Sequence, residues 1–120
     1  MRILVCGGRE FDDWRLFSDT LSEYDLDNQQ PITIIEGGAK GADFCGRLYA
    51  KYCGWEHLPF LADWNKYGKR AGYLRNKQML VEGKPDLVIA FPGNAGTADM
   101  IRQAKDAGVE VREIGKNSSS

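Results

Sequence analysis

Apolar and polar positions along the chain fall into five short apolar runs separated by four segments of helical period. The runs are Ile3–Cys6, Ile32–Ile35, Trp55–Phe60, Leu87–Phe91 and Val109–Ile114. Between the first two, Trp14, Phe17, Leu21 and Tyr24 recur at i, i+3, i+7 and i+10, one stripe of a helix. The second helix carries Phe44, Leu48 and Tyr52 at i, i+4 and i+8. The third covers Ala71–Glu82, with Tyr73 and Leu80 on one stripe and Leu74 and Val81 on the next. The fourth covers Thr97–Ala107, with Ile101, Ala104 and Gly108 facing inward and Gly108 as its terminating glycine.

Strand and helix in regular alternation predict an α/β fold: a Rossmann-like three-layer α/β/α arrangement around a five-stranded parallel sheet. Runs one, two and four are continuously apolar, as strands buried on both faces are. Run three, "WEHLPF", is partly polar and contains Pro59, which suits an edge. Run five, "VEVREI", alternates and reads as half exposed. Strands three and five at the edges give the order 3-2-1-4-5. The winding then reverses between strands one and four, and ligands in such sheets bind beyond the strands' carboxyl ends at that reversal.

Length and composition narrow the class. With 120 residues, 42% hydrophobic and 28% charged, the chain reads as one domain over residues 1–115 with a flexible polar tail over 116–120. A net charge of −1 argues against a nucleic-acid coat, which carries a clear basic excess. Cys6, Cys45 and Cys53 show no CxxC spacing, so the expectation is a reduced, cytoplasmic chain with no metal site and no cofactor. Cys6, inside an apolar run, reads as a small core residue. No signal peptide and no apolar run near the ~20 residues of a membrane span is evident.

The three loops that leave inner strands are rich in glycine: "CGGREF" after strand one, "EGGAKGAD" after strand two and "PGNAGT" after strand four. Glycine lets backbone N–H groups approach a ligand with no Cβ in the way, and helix N-termini add free donors and positive potential. Gly7, Gly8, Gly37, Gly38, Pro92, Gly93, Asn94, Gly96 and Thr97 are therefore candidates for an anion cradle. Tight βα turns that merely need glycine are the competing reading. Neither GxGxxG nor a P-loop is present.

Candidate side chains follow. Arg9 and Lys40 sit within two of these loops and suit a phosphate, or are solvated surface charges. Asp43 and Asp99 open helices, where a carboxylate caps the helix or favours its dipole; Asp43 is read that way. Thr97 is read as a helix N-cap, as a hydroxyl on the phosphate, or as both. "ADWNKYGKRAGYLRNKQM", from Ala62 to Met79, interleaves Trp64 and Tyr67 with Lys66, Lys69, Arg70 and Arg75. Such a segment either clamps a base with its phosphate or is a solvated loop with packed aromatics. Arg75 and Asn76 follow on a helix placed to lean over the site. His57, on an edge strand, reads as structural or exposed.

The segments "VCGGREF", "EGGAKGAD", "ADW", the G(x)2AG(x)2RN(x)2M pattern from Gly68 to Met79, and "PDLVIAFPGNAGTADM" together resemble the SLOG superfamily. Within it they are most similar to the small single-domain YspA-like branch, related to YpsA. The resemblance spans almost the whole chain. It implies a Rossmann-like fold that binds nucleotides or nucleotide-derived ligands. More distantly it implies a likeness to the Lonely Guy phosphoribohydrolases, whose PGGxGTxEE motif holds phosphate and supplies a catalytic glutamate. By that likeness Pro92–Thr97 is the phosphate loop, Asp99 stands at the first glutamate, and Arg75 stands at the arginine of an RKxxM-type stretch. Asn94 replaces a glycine and Met100 the second glutamate, departures that bear on cleavage more than on binding. The expected function is thus a sensor or carrier of a nucleotide-derived small molecule. The alternative is an N-glycosidic hydrolase in which Asp99 and Arg75 are catalytic. Single-strand nucleic-acid binding, as in the related DNA-processing protein DprA, comes last. A homodimer is a further expectation of the resemblance.

Overall fold

The computed structural model describes residues 1–27 and 31–115. Five strands, β1 (Arg2–Cys6), β2 (Thr33–Glu36), β3 (Glu56–Pro59), β4 (Leu87–Ala90) and β5 (Glu110–Glu113), form one sheet in the order β3-β2-β1-β4-β5. All pairs are parallel. The helices are α1 (Trp14–Asp27), α2 (Ala42–Cys53), α3 (Trp64–Tyr67), α4 (Ala71–Gly83) and α5 (Ala95–Asp106), with a 3-10 turn at Gly68–Arg70. The expected architecture and strand order are therefore present. The tail expected over 116–120 lies outside the described residues. Among the described residues no helix is long and apolar enough to cross a membrane.

β1 is the centre. Leu4 lies opposite Ile35 on one side and Val88 on the other. Side chains alternate across the sheet with a period of two. Ile3 and Val5 enter a cluster with Phe17 and Leu21 of α1 and Tyr49 and Ala50 of α2. Leu4 and Cys6 enter another, with Met79 of α4 and Met100 and Ala104 of α5. Two helical layers thus enclose the sheet. Pro59 lies on the edge strand β3, where its missing N–H is tolerated.

Two helices face differently from the periodicity's expectation. On α2, Phe44, Leu48 and Tyr52 are exposed, and the buried face is Ala42, Asp43, Cys45, Gly46, Tyr49 and Ala50. The reason is close approach: a Cβ on Gly46 would stand 2.5 Å from Val5 Cγ2. The small-residue side fits against the sheet and the larger side chains are left outside. On α4, Tyr73, Leu74 and Val81 are exposed, while Ala71, Asn76, Met79 and Gly83 are buried. Gly83 lies under Ile35 and Phe60, where a larger residue would crowd the sheet. Gly108 is exposed rather than inward, but it does follow the end of α5 with φ 77°. The segment read as a loop before α4 contains the short helix α3. Asp63 caps it, accepting the Lys66 N–H at 3.0 Å.

Candidate functional site

The loops after β1, β2 and β4 meet at the carboxyl edge of the sheet. Gly8 is their junction. Its N–H donates to the Pro92 carbonyl at 2.8 Å, and its carbonyl accepts the Ala42 N–H at 3.2 Å. Phe11 packs on Phe91 below them, with ring centroids 5.1 Å apart. The close approach has a price in side chains: a Cβ on Gly7 would lie 2.6 Å from Ala42 Cβ, and one on Gly8 would lie 3.1 Å from Gly93 Cα. A Cβ on Gly93 would collide with Thr97 Oγ1. Much of the glycine therefore serves loop-to-loop packing. Gly96 differs: a Cβ there would meet nothing within 4 Å.

α5 begins at Ala95, with Asn94 as its N-cap residue and no side-chain cap. Thr97 is the third helical residue and buried, so it is not the N-cap the sequence suggested. An α-helix leaves its first N–H groups without internal partners, and here Asn94, Gly96 and Thr97 line a cleft. From the β1 side the cleft is lined by Cys6, Gly7 and Arg9, and from the β2 loop and α2 by Ala39 and Asp43. Trp64, Lys69, Tyr73, Arg75 and Asn76 close the remaining side. Its volume is about 240 Å³. Three cations, Arg9, Lys69 and Arg75, face one carboxylate there, although the whole chain carries net charge −1.

Arg75 reaches from α4 to the β2 loop, where Nη1 donates to the Gly37 carbonyl at 2.5 Å. Its guanidinium occupies the place a Gly37 side chain would take. Burial, opposed by the charge of Asp43, lowers its pKa. Asn76 is buried beside it. Its Nδ2 donates to the Gly96 carbonyl at 3.2 Å and to Asp99 Oδ2 at 3.1 Å, while Oδ1 accepts Arg75 Nε at 3.3 Å. Asp99 also accepts from Gln103 Nε2 at 2.7 Å and from Arg102. It sits in the second turn of α5, 7% exposed, behind Asn76 and away from the cleft wall. The Asp99–Asn76–Gly96 chain thus fixes α4 against the start of α5.

The β2 side holds two carboxylates with different surroundings. Glu36 is fully buried; Gly38 N–H donates to Oε1 and His57 Nε2 stands at Oε2, each at 2.5 Å. Asp43, in the first turn of α2, faces the cleft and accepts the Ala39 N–H at 3.2 Å. It does not cap α2, whose N-cap is Gly41. Burial pushes the Asp43 carboxyl up to about 6, with the Ala39 amide acting against it. Burial, then Asp43, pushes the Cys6 thiol up to about 12, so it is no thiolate at neutral pH.

The sequence matches the YAcAr family, described as YspA, cpYpsA-related SLOG family, over residues 1–67. It is also 34% identical to Gene 61 protein of Mycobacterium phage D29 over 121 residues, covering 95% of this chain and 96% of that protein. The chain belongs to the YAcAr family. The family match takes in the β1 and β2 loops and α3, and the phage relative extends the likeness through α4 and α5.

Within this YAcAr chain the structure gathers Gly7, Arg9, Asp43, Trp64, Arg75, Asn76, Asn94, Gly96 and Thr97 around one cleft. Gly8, Gly37, Gly38, Lys40, Pro92, Gly93 and Asp99 lie outside its lining. Lys40 is exposed. Arg9 stands 5.9 Å over the Trp64 ring, and both are at the mouth. Sequence reasoning passed over the Glu36–His57 pair and the cleft position of Tyr73, while Lys69 comes from the segment read as a base-and-phosphate clamp or a solvated loop. A glutamate ending an apolar strand, in "TIIEGG", was the available signal for Glu36. The periodicity places Tyr73 on a helical stripe with Leu80 and gives no sign of the cleft.

Proposed function

We propose that this cleft binds a nucleotide or nucleotide-derived small molecule, as a sensor or carrier. One observation carries the reading. An uncapped helix N-terminus, with Gly96 bare, opens on the same cleft as Arg9, Lys69 and Arg75. Helix N-terminal amides and guanidinium groups are complementary to phosphate. Trp64, 48% exposed and backed by Arg9, supplies a flat apolar surface on which a base can stack. The volume of about 240 Å³ is below the ~300–1,000 Å³ usual for drug-sized ligands, which favours a mononucleotide over a dinucleotide.

Binding is favoured over N-glycosidic cleavage by the state of Asp99. A carboxylate that accepts from Asn76, Gln103 and Arg102 is a positioning group for the phosphate end. Thermal shift against the ribonucleoside 5′-monophosphates is the direct test. A ligand at 100 times its Kd adds about 2.7 kcal/mol of apparent stability. The Arg75→Ala variant loses that shift. The absence of a shift with every mononucleotide at millimolar concentration overturns the proposal, and chromatographic loss of the nucleotide on incubation overturns the preference for binding.

A further inference from the structure

Resting on the nucleotide reading above, we infer that Asp43 receives the ribose hydroxyls and makes the cleft select ribonucleotides over nucleotides that lack the diol. The charged lining is divided in space. The α5 N-terminus, which follows β4, offers donors on one side of β1; Asp43 lies on the other, after β2, with Arg75 reaching the same β2 loop, and it is the one acidic side chain in the lining among the described residues. A phosphate dianion is repelled by a carboxylate, so the phosphate belongs at the α5 N-terminus, away from Asp43. The part of a nucleotide adjoining its 5′-phosphate is the ribose, whose 2′- and 3′-hydroxyls are neutral donors. A fixed carboxylate is their natural acceptor.

Asp43 is held for that task. The Ala42 amide bonds to Gly8, which locks the start of α2 to the β1 loop. A carboxylate has about four acceptor positions. The Ala39 amide, at 3.2 Å, and the Gly37 amide engage it from its own loop. Those contacts leave acceptor capacity on a side chain that lines the cleft. The competing acid is Glu36. It ends β2, the neighbourhood from which an acidic residue binds the ribose hydroxyl in dinucleotide folds. Here Glu36 is fully buried and both its oxygens are taken, by Gly38 and His57. The role passes to the next carboxylate along the same loop.

The groups that face Asp43 are the Cys6 thiol from β1, Glu36 from β2 and Arg75 from α4. Burial raises Asp43 to about 6, so it passes from neutral to anionic between about pH 5 and 7. The anion is the better acceptor, and the diol's contribution to affinity grows over that interval. The ligand's own phosphate also titrates there, with pKa near 6. A ligand that keeps the phosphate and lacks the diol removes that effect from the comparison.

The test is calorimetric titration of the purified protein with each ribonucleoside 5′-monophosphate and its 2′,3′-dideoxy counterpart, at pH 5 and pH 7.5. For the nucleotide that binds, the ribo form is expected to be at least about tenfold tighter at pH 7.5, in line with a charge-assisted hydrogen bond. The preference narrows at pH 5. Asp43→Ala brings the ribo and dideoxy affinities within twofold of each other at pH 7.5. Equal affinity of ribo and dideoxy forms for the unmodified protein overturns the assignment of Asp43 and leaves the nucleotide reading standing. Failure of every mononucleotide to bind overturns both.

Discussion

On the α1/α2 face of the sheet, Phe17 stacks on Phe91 with centroids 4.7 Å apart, and Tyr49 meets Trp55 edge-on at 5.3 Å. On the α4/α5 face the filling is Leu4, Ile35, Val88, Met79, Met100 and Ala104, with Asn76 and Asp99 buried at the end nearest the cleft. The first face is filled by rigid rings that each remove a large apolar area from water. The second gives some of its interior to a polar chain that joins two helices at the site. The difference separates two tasks. The ring-filled face is expected to carry a large share of the stability. The other face spends packing on holding Arg75 and the α5 N-terminus in register.

The comparison can be broken by truncating each side. Phe17→Ala, at a fully buried site, is expected to cost about 3–5 kcal/mol in urea unfolding. A loss below about 1.5 kcal/mol would mean the rings are not what secures that face. The β2 side of that face also holds the buried carboxylates Glu36 and Asp43, of which Asp43 lines the cleft. The folded pKa of Asp43, about 6, lies above its ordinary 3.8. The folded state therefore holds this proton more tightly than the unfolded chain. The resulting stability is fully present below about pH 4 and lost as pH rises through 6. A shift of about two units corresponds to about 3 kcal/mol. Asp43→Asn should gain stability relative to the parent by up to that amount between pH 4 and pH 8. A gap that does not change with pH would show that Asp43 is not held against its preference. Such a cost to stability, if measured, is what a residue kept for a ligand would exhibit.

On the second face, Asn76→Ala leaves the Gly96 carbonyl and one Asp99 interaction without their partner, at about 1–3 kcal/mol. It should also weaken the nucleotide-induced thermal shift, because the start of α5 loses its tie to α4. A stability loss with an undiminished shift would separate the polar chain from the site. The smallest effect is expected at Tyr52, 83% exposed on α2. Tyr52→Ser should change the unfolding free energy by no more than about 0.5 kcal/mol. A larger loss would mean that α2 presents that side to the interior.

Much of the architecture was legible because a strand's place in a sheet is written in its own side chains. Continuous apolar runs such as Leu87–Ala90 belong inside a parallel sheet, and "EHLP", with its proline, belongs at an edge. From those cues the order 3-2-1-4-5 and the meeting of three glycine-bearing loops at one edge followed. The same glycines were harder to interpret. Gly8 and Gly93 resemble ligand contacts in the sequence, yet the Pro92–Gly93 backbone presses on Gly8, and the Thr97 side chain and Gly8 backbone press on Gly93.

By itself the sequence determined the family, the strand order and the edge at which the three glycine-bearing loops leave the sheet, since these depend on local hydrophobic pattern and on motifs read residue by residue. Tertiary structure decided which side of α2 and α4 is inside. Both helices carry apolar residues on more than one side, and only the fit of Gly46 and Gly83 against the sheet chooses between them. It also divided the work among the acids: Glu36 with Gly38 and His57, Asp99 with Asn76 and Gln103, and Asp43 facing the cleft. A carboxylate's role is set by which donors reach it, and donors from distant segments are brought within hydrogen-bond distance only when the chain is folded.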